Sequence, residues 1–164
     1  MSNMVARIPS ASLKMTGLNY WNYANRYCKA AKHLESVNPR NEFDPVIYHL
    51  YCLSLELHLK SFIWLCDGLD HKAIKNKYDH KIRKLWADAK KRGIGSYAPV
   101  TDLRERVIKL VGPYYEERKF TYLALAMIRR GFESIQSEPR ALSTLRRLDI
   151  RLSKSLRQPI LDAT

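Results

Sequence analysis

The stretch Asp44-Pro-Val-Ile-Tyr-His-Leu-Tyr-Cys-Leu-Ser-Leu-Glu-Leu-His-Leu-Lys-Ser-Phe-Ile-Trp-Leu-Cys-Asp-Gly68 decides how the rest of the chain is read. Asp44 is a good N-cap, and Pro45 suits the first helical position, where its missing N–H is not needed. Gly68 supplies the stop at the other end. The residues between are apolar nearly all round a helix, which makes this segment the central rod of a bundle. Residues 46–66 have the length of a membrane span, but His49, Glu56, His58 and Lys60 lie within it, and such groups are costly in lipid. A buried helix is the better reading.

One polar ribbon interrupts the rod. His49, Glu56, Lys60 and Asp67 are spaced by 7, 4 and 7 residues and fall within a narrow arc. Glu56 precedes Lys60 by four residues, the favourable orientation for a helical ion pair. Two readings stand: a solvent edge, or a polar groove or inter-subunit network beside the core. His58 lies on the opposite side from His49, so those two histidines do not form one site.

Outward from the rod, the pattern stays helical. Leu18, Tyr20, Tyr23, Ala24, Tyr27, Ala30, Ala31 and Leu34 share one face of a first helix over residues 16–37. Residues 38–44 connect it to the rod. Downstream, 71–77 reads as a short helix, 79–92 as a clearer one and 93–99 as a loop. Residues 101–111 are helical, with Gly112-Pro113 closing them; 114–131 reads as loop plus helix. Pro139 opens a last helix over 140–156, ended near Pro159. No segment alternates with period two and no repeat occurs. The expectation is an all-α, up-down helical bundle with additional C-terminal helices: a loosely ordered leader at 1–15, one domain at 16–158 and a tail at 159–164.

The chain has 164 residues, enough for one domain, and its 46% hydrophobic content excludes a disordered basic tail. The net charge of +13 is uneven. Residues 1–70 carry seven basic and six acidic side chains, whereas 71–164 carry twenty-two and ten. Such an imbalance points to a polyanionic partner. Cys28, Cys52 and Cys66 form no CxxC pair and suggest a reducing compartment without disulfides. The opening residues hold no apolar signal core, so a cytoplasmic location is expected.

The rod and the segment after it resemble HEPN-type domains. The run Tyr48-His-Leu-Tyr-Cys-Leu-Ser-Leu-Glu-Leu-His-Leu-Lys-Ser-Phe-Ile-Trp-Leu-Cys-Asp-Gly68 is similar to that family's second helix, with its Glu-x-x-x-Lys and an apolar turn ending in glycine. Tyr78-Asp-His-Lys-Ile-Arg-Lys-Leu-Trp86 is similar to the family's His-Asp-Leu-x-x-Leu segment, with Asp and His in reversed order. The resemblance covers residues 16–92. It implies an up-down bundle, often dimeric, that binds RNA or nucleotides in prokaryotic defence or toxin–antitoxin settings.

Nuclease members of the family carry Arg-x4-6-His. The only literal match is Arg26-Tyr-Cys-Lys-Ala-Ala-Lys-His33, in the first helix, and Arg26 is followed by tyrosine rather than a polar residue. No histidine follows His80, so the usual late motif is missing. The chain is therefore expected to bind RNA or a nucleotide without cleaving it. The alternatives are a metal-independent ribonuclease using Arg26 and His33, or a protein-interaction module partnering a nucleotidyltransferase.

Candidate groove residues are His49, Glu56, Lys60 and His80. Candidate polyanion contacts are Lys81, Arg83 and Lys84, with Arg140, Arg147, Arg151 and Lys154 on the last helix, opposite its leucine stripe of Leu142, Leu145, Leu148, Leu152 and Leu156. The tyrosines Tyr20, Tyr23, Tyr27, Tyr114 and Tyr115 suit base stacking or packing equally. No metal-ligand spacing, phosphate-binding loop or cofactor motif occurs, and no membrane association is expected. The partners expected are RNA or a nucleotide, a second copy in a homodimer, and a further protein.

Overall fold

The computed structural model describes residues 15–38, 43–121 and 132–164. Among these are eight α-helices and no strand: α1 (Gly17–Ser36), α2 (Pro45–Asp67), α3 (His71–Tyr78), α4 (Ile82–Lys91), α5 (Asp102–Glu116), α6 (Glu133–Gln136), α7 (Ala141–Ser155) and α8 (Arg157–Asp162). A short 3-10 turn, Ile94–Ser96, links α4 to α5. Apart from Met15, the expected leader at 1–15 lies outside the described residues, as do 122–131 of the segment read as loop plus helix. No described helix is long and apolar enough to cross a membrane.

The ends of α2 follow its sequence. Asp44 accepts a hydrogen bond from Val46 N–H at 2.8 Å, Pro45 opens the helix, and Gly68 closes it at φ 62°, where a glycine has no Cβ penalty. Ile47, Leu55, Leu59, Phe62 and Ile63 are buried along the rod, and each contributes about 1.5–3 kcal/mol through burial. Helix α1 packs antiparallel to it. Tyr51 reaches Glu35, Ser54 donates to the Ala24 carbonyl at 2.7 Å, and Ser61 donates to the Gly17 carbonyl at 2.8 Å. A side chain at Gly17 would overlap the Trp64 ring, so this position keeps the start of α1 close to the rod.

Helix α7 lies against both. It runs antiparallel to α1, since Arg146 pairs with Glu35 and the Trp21 indole donates to the Ser153 carbonyl. Its stripe is buried as expected at Leu145, Leu148, Leu152 and Leu156, with Leu142 half-buried, while Arg140, Arg147, Arg151 and Lys154 are exposed. Helices α4 and α5 pack antiparallel, tied by Arg83–Glu116 and Lys90–Glu105 at 2.6 Å each.

Three sequence boundaries change. Helix α5 does not stop at Gly112-Pro113 but runs to Glu116. Pro113 costs the Lys109 carbonyl its helical donor, roughly 3 kcal/mol, and burial of Val111 and Tyr115 on either side offsets this. Gly112 acts through space: a Cβ there would come within 2.5 Å of the Arg83 stem. The helix read over 79–92 begins only at Ile82, because Asp79 takes φ 40° and ends α3, leaving His80 in a tight turn. Residues 159–164, expected as a tail, include most of α8, whose Ile160 is fully buried and which packs on α1. Pro159 falls in the first turn of α8, where no N–H is required.

Candidate functional site

The polar ribbon of α2 runs into the interior. Glu56 is 1% exposed and Lys60 7%, so this part of the ribbon is no solvent edge. Lys60 Nζ donates to Glu56 Oε1 at 2.5 Å, the i,i+4 pair its spacing predicts. The second oxygen, Oε2, accepts from the Tyr115 hydroxyl at 2.6 Å and meets His80 Nδ1 at 3.2 Å. One carboxylate thus joins α2, the α3–α4 turn and α5. Asp67 behaves differently: it is exposed and takes a bidentate bond from Arg92, 2.8 Å at the shortest.

Above this carboxylate lies a groove of two adjoining compartments that share Leu53 and His80. The larger, about 350 Å³, is walled by Tyr20, Tyr23 and Tyr27 from α1, Glu56 and Lys60 from α2, and His71 and Lys75 from α3. Positions 20, 23 and 27 follow helical spacing, so the aromatic stripe of α1 faces the polar ribbon of α2. Tyr23 is 46% exposed at the rim, where the Arg26 guanidinium stacks over its ring at 5.6 Å. Tyr20 is buried and hydrogen-bonds His71 Nδ1 at 2.7 Å, and burial first, with Glu56 and Asp70 adding, pushes its phenol up to about 12. The smaller compartment, about 280 Å³, is lined by His49, Tyr115, Arg118 and Thr121 besides the shared pair. Arg118 takes φ 59° there, a left-handed conformation that costs a non-glycine residue about 1–2 kcal/mol.

The ionisable groups divide in character. Burial alone would raise Glu56, but hydrogen bonds from His80, Lys60 and Tyr115 and the charge of Lys60 outweigh it and hold the carboxyl below 4.5. The Glu56 hydrogen bond raises His80 above 6.5, whereas burial and the nearby His80 charge hold His49 below it. Burial and the Glu56 charge push the Tyr115 phenol strongly upward, so it stays a donor. The Glu56–His80 contact therefore contributes most between about pH 4.5 and 6.5. It is lost on the acid side as Glu56 protonates through its lowered folded value. On the basic side it fades as pH rises through the raised folded value of His80. His49 acts oppositely, stabilising above 6.5 and less as pH falls. Imidazole NMR should show His80 titrating above pH 6.5 and His49 below it, and His80→Gln should flatten the decline of stability above 6.5. Coincident titration of both rings would contradict this assignment.

All four groove candidates, His49, Glu56, Lys60 and His80, come together here. Arg26 and His33 do not: seven residues of helix set them about 10 Å apart along α1, and neither lines the groove. The candidate polyanion contacts do not line it either, and several are engaged. Arg83 is clamped by Glu116, Lys84 donates to the Lys77 carbonyl, Arg140 faces Glu138 at 3.7 Å, and Arg151 donates to the Tyr97 carbonyl. Lys81, Arg147 and Lys154 make no ion pair with a described residue. Among the described residues no group of His, Cys, Asp and Glu is placed to hold a metal ion.

Sequence reasoning missed the most buried polar contact. His58 Nδ1 meets Asp149 Oδ1 at 2.6 Å, both side chains are fully buried, and neither His58 Nε2 nor Asp149 Oδ2 has a hydrogen-bond partner among the described residues. Asp149 sits four residues after Leu145 and three before Leu152, on the buried stripe of α7, and that register was the available signal. Cys28 lies beside it, its thiol pushed up to about 12 by burial first and the Asp149 charge second, so it is an inert thiol. Compared with known protein families, curated proteins and solved structures, the chain matches none.

Proposed function

We propose that this chain is a HEPN-like helical-bundle protein that binds single-stranded RNA or a nucleotide in the groove between α1, α2 and the α3–α4 turn, without cleaving it. One observation carries this reading: the tyrosine stripe of α1 and the polar ribbon of α2 face each other across a groove with a cationic surplus. Lys75, Arg118 and the raised His80 line it, the Lys60 charge is cancelled by Glu56, and Asp79 is the remaining acid. Tyrosine faces accept any base, and surrounding cations draw in the backbone.

Anisotropy with a short labelled single-stranded RNA tests the reading. Affinity should fall steeply as salt rises, and Tyr23→Ala should weaken binding about five- to hundredfold through lost stacking. Lys75→Glu should weaken it as well, while Arg147→Glu, on the outer face of α7, should matter far less. The RNA should remain intact in EDTA. Equal losses from Arg147→Glu and Lys75→Glu would place binding on the general basic surface instead of the groove.

A further inference from the structure

The smaller compartment has a chemistry of its own. Three cationic or potentially cationic groups converge on it from three parts of the chain: His49 from α2, His80 from the α3–α4 turn, and Arg118 from the turn after α5. Against the described residues, each has donor capacity left over. His80 is committed to Glu56 through Nδ1, while its Nε2 lies 3.9 Å from Asp79, beyond hydrogen-bond reach. His49 meets Thr121 Oγ1 through Nδ1 at 3.4 Å, and its Nε2 bonds no described residue. The Arg118 guanidinium makes no ion pair with a described residue. At about 280 Å³ the space lies at the lower edge of the range for small-ligand pockets and has ample room for a phosphodiester group. The tyrosine compartment adjoins it through Leu53 and His80.

We propose that the compartment bounded by His49, His80, Tyr115, Arg118 and Thr121 seats a single phosphodiester group, and that a proton is taken up on His49 as the group docks. This rests on the groove reading above and assigns its two ends: phosphate among the histidines and Arg118, base against Tyr20, Tyr23 and Tyr27. The proton uptake is set by the groups that face His49. Tyr115 packs against its ring at 5.6 Å from α5, His80 and Arg118 approach from the two turns, and Glu56 lies two helical turns along its own helix. In the unliganded site, burial and the His80 charge keep His49 neutral at neutral pH. An anion placed between the two rings reverses that balance, because the imidazolium then has a partner. The proton comes from solvent, and the ring becomes a second charge-assisted donor to the phosphate. No covalent bond changes.

The test uses a dinucleoside monophosphate, which carries one negative charge across the working range, and its neutral methylphosphonate analogue. Titration calorimetry of the full chain, in two buffers of different ionisation enthalpy, reads affinity and proton uptake together. The charged ligand should bind about tenfold or more tightly than the neutral one near pH 6, with the preference shrinking as pH rises toward about 8. His49→Gln should remove the proton uptake near pH 6, where His80 already carries its proton, and leave only the pH dependence at higher pH that comes from His80. Arg118→Gly should lower the charge preference while leaving the fold intact, since glycine accepts the φ of 59° without strain. Equal affinity for charged and neutral ligands would overturn the phosphate seat but leave the groove reading standing. Proton uptake near pH 6 that survives His49→Gln would overturn the proton assignment. Binding of neither ligand would sink the groove reading and this one with it.

Discussion

Replacing Asp149 by alanine should destabilise the fold by about 3–5 kcal/mol, because it strands His58 in the core with neither solvent nor a partner carboxylate. For a domain of this size that corresponds to a fall in Tm of roughly 6–20 °C. Replacing both partners together should behave differently. In the double variant His58→Met/Asp149→Val the pair gives way to apolar groups of similar volume, and the result should be close to neutral or stabilising. Two features favour that outcome: both side chains are fully buried, and one atom of each, His58 Nε2 and Asp149 Oδ2, lacks a hydrogen-bond partner among the described residues. Urea unfolding of the two singles and the double closes the cycle. A double variant as unstable as Asp149→Ala would mean that the pair is indispensable to packing.

Glu56→Ala should be comparably severe for a different reason. It leaves three donors from three elements without their acceptor: the buried Lys60 ammonium, the Tyr115 hydroxyl and His80. The stranded lysine alone accounts for about 3–5 kcal/mol and the phenol for about 1–3, and because these share one acceptor they will not add fully. Tyr115→Phe, which removes only one donor, should cost about 1 kcal/mol. The two variants separate the hub from its parts, and chemical denaturation measures both. If Glu56→Ala cost no more than Tyr115→Phe, Lys60 would have escaped to solvent and the network would hold nothing together.

Much of this architecture is legible in the sequence. The rod, its caps and the helical spacing of α1 follow from local sequence, as does the Glu56–Lys60 pair, whose members are one turn apart. His80 is legible as a groove candidate, although the turn that delivers it depends on Asp79 adopting φ 40°, which no pattern announces. Contacts between distant positions stay hidden. In the sequence Tyr115 is an aromatic suited equally to stacking or packing and Asp149 a charge in a leucine stripe; the bonds they make appear only once α5 and α7 fold back on α2. The excess of basic residues misleads in a similar way. A charge count says nothing of pairing, and Arg83, Lys90, Arg92 and Arg146 are spent on Glu116, Glu105, Asp67 and Glu35, from 15 to 111 positions away. The cations lining the groove are fewer, and Lys75 and Arg118 are not among the polyanion contacts that the sequence nominates.

Ser54 and Ser61, which donate to the carbonyls of Ala24 and Gly17, are seven residues apart on one helix, and their acceptors are seven apart on the other. The two bonds work like a pair of pegs. Sliding α1 along α2 by one turn, about 5.4 Å, breaks both bonds and brings a residue with a side chain against Trp64, where only Gly17 fits. Which tyrosine stands across from which polar side chain is therefore indexed by two hydroxyls on the buried face of α2. A change at either serine would reach the ligand as an altered alignment of the groove walls, without touching a single residue that lines them.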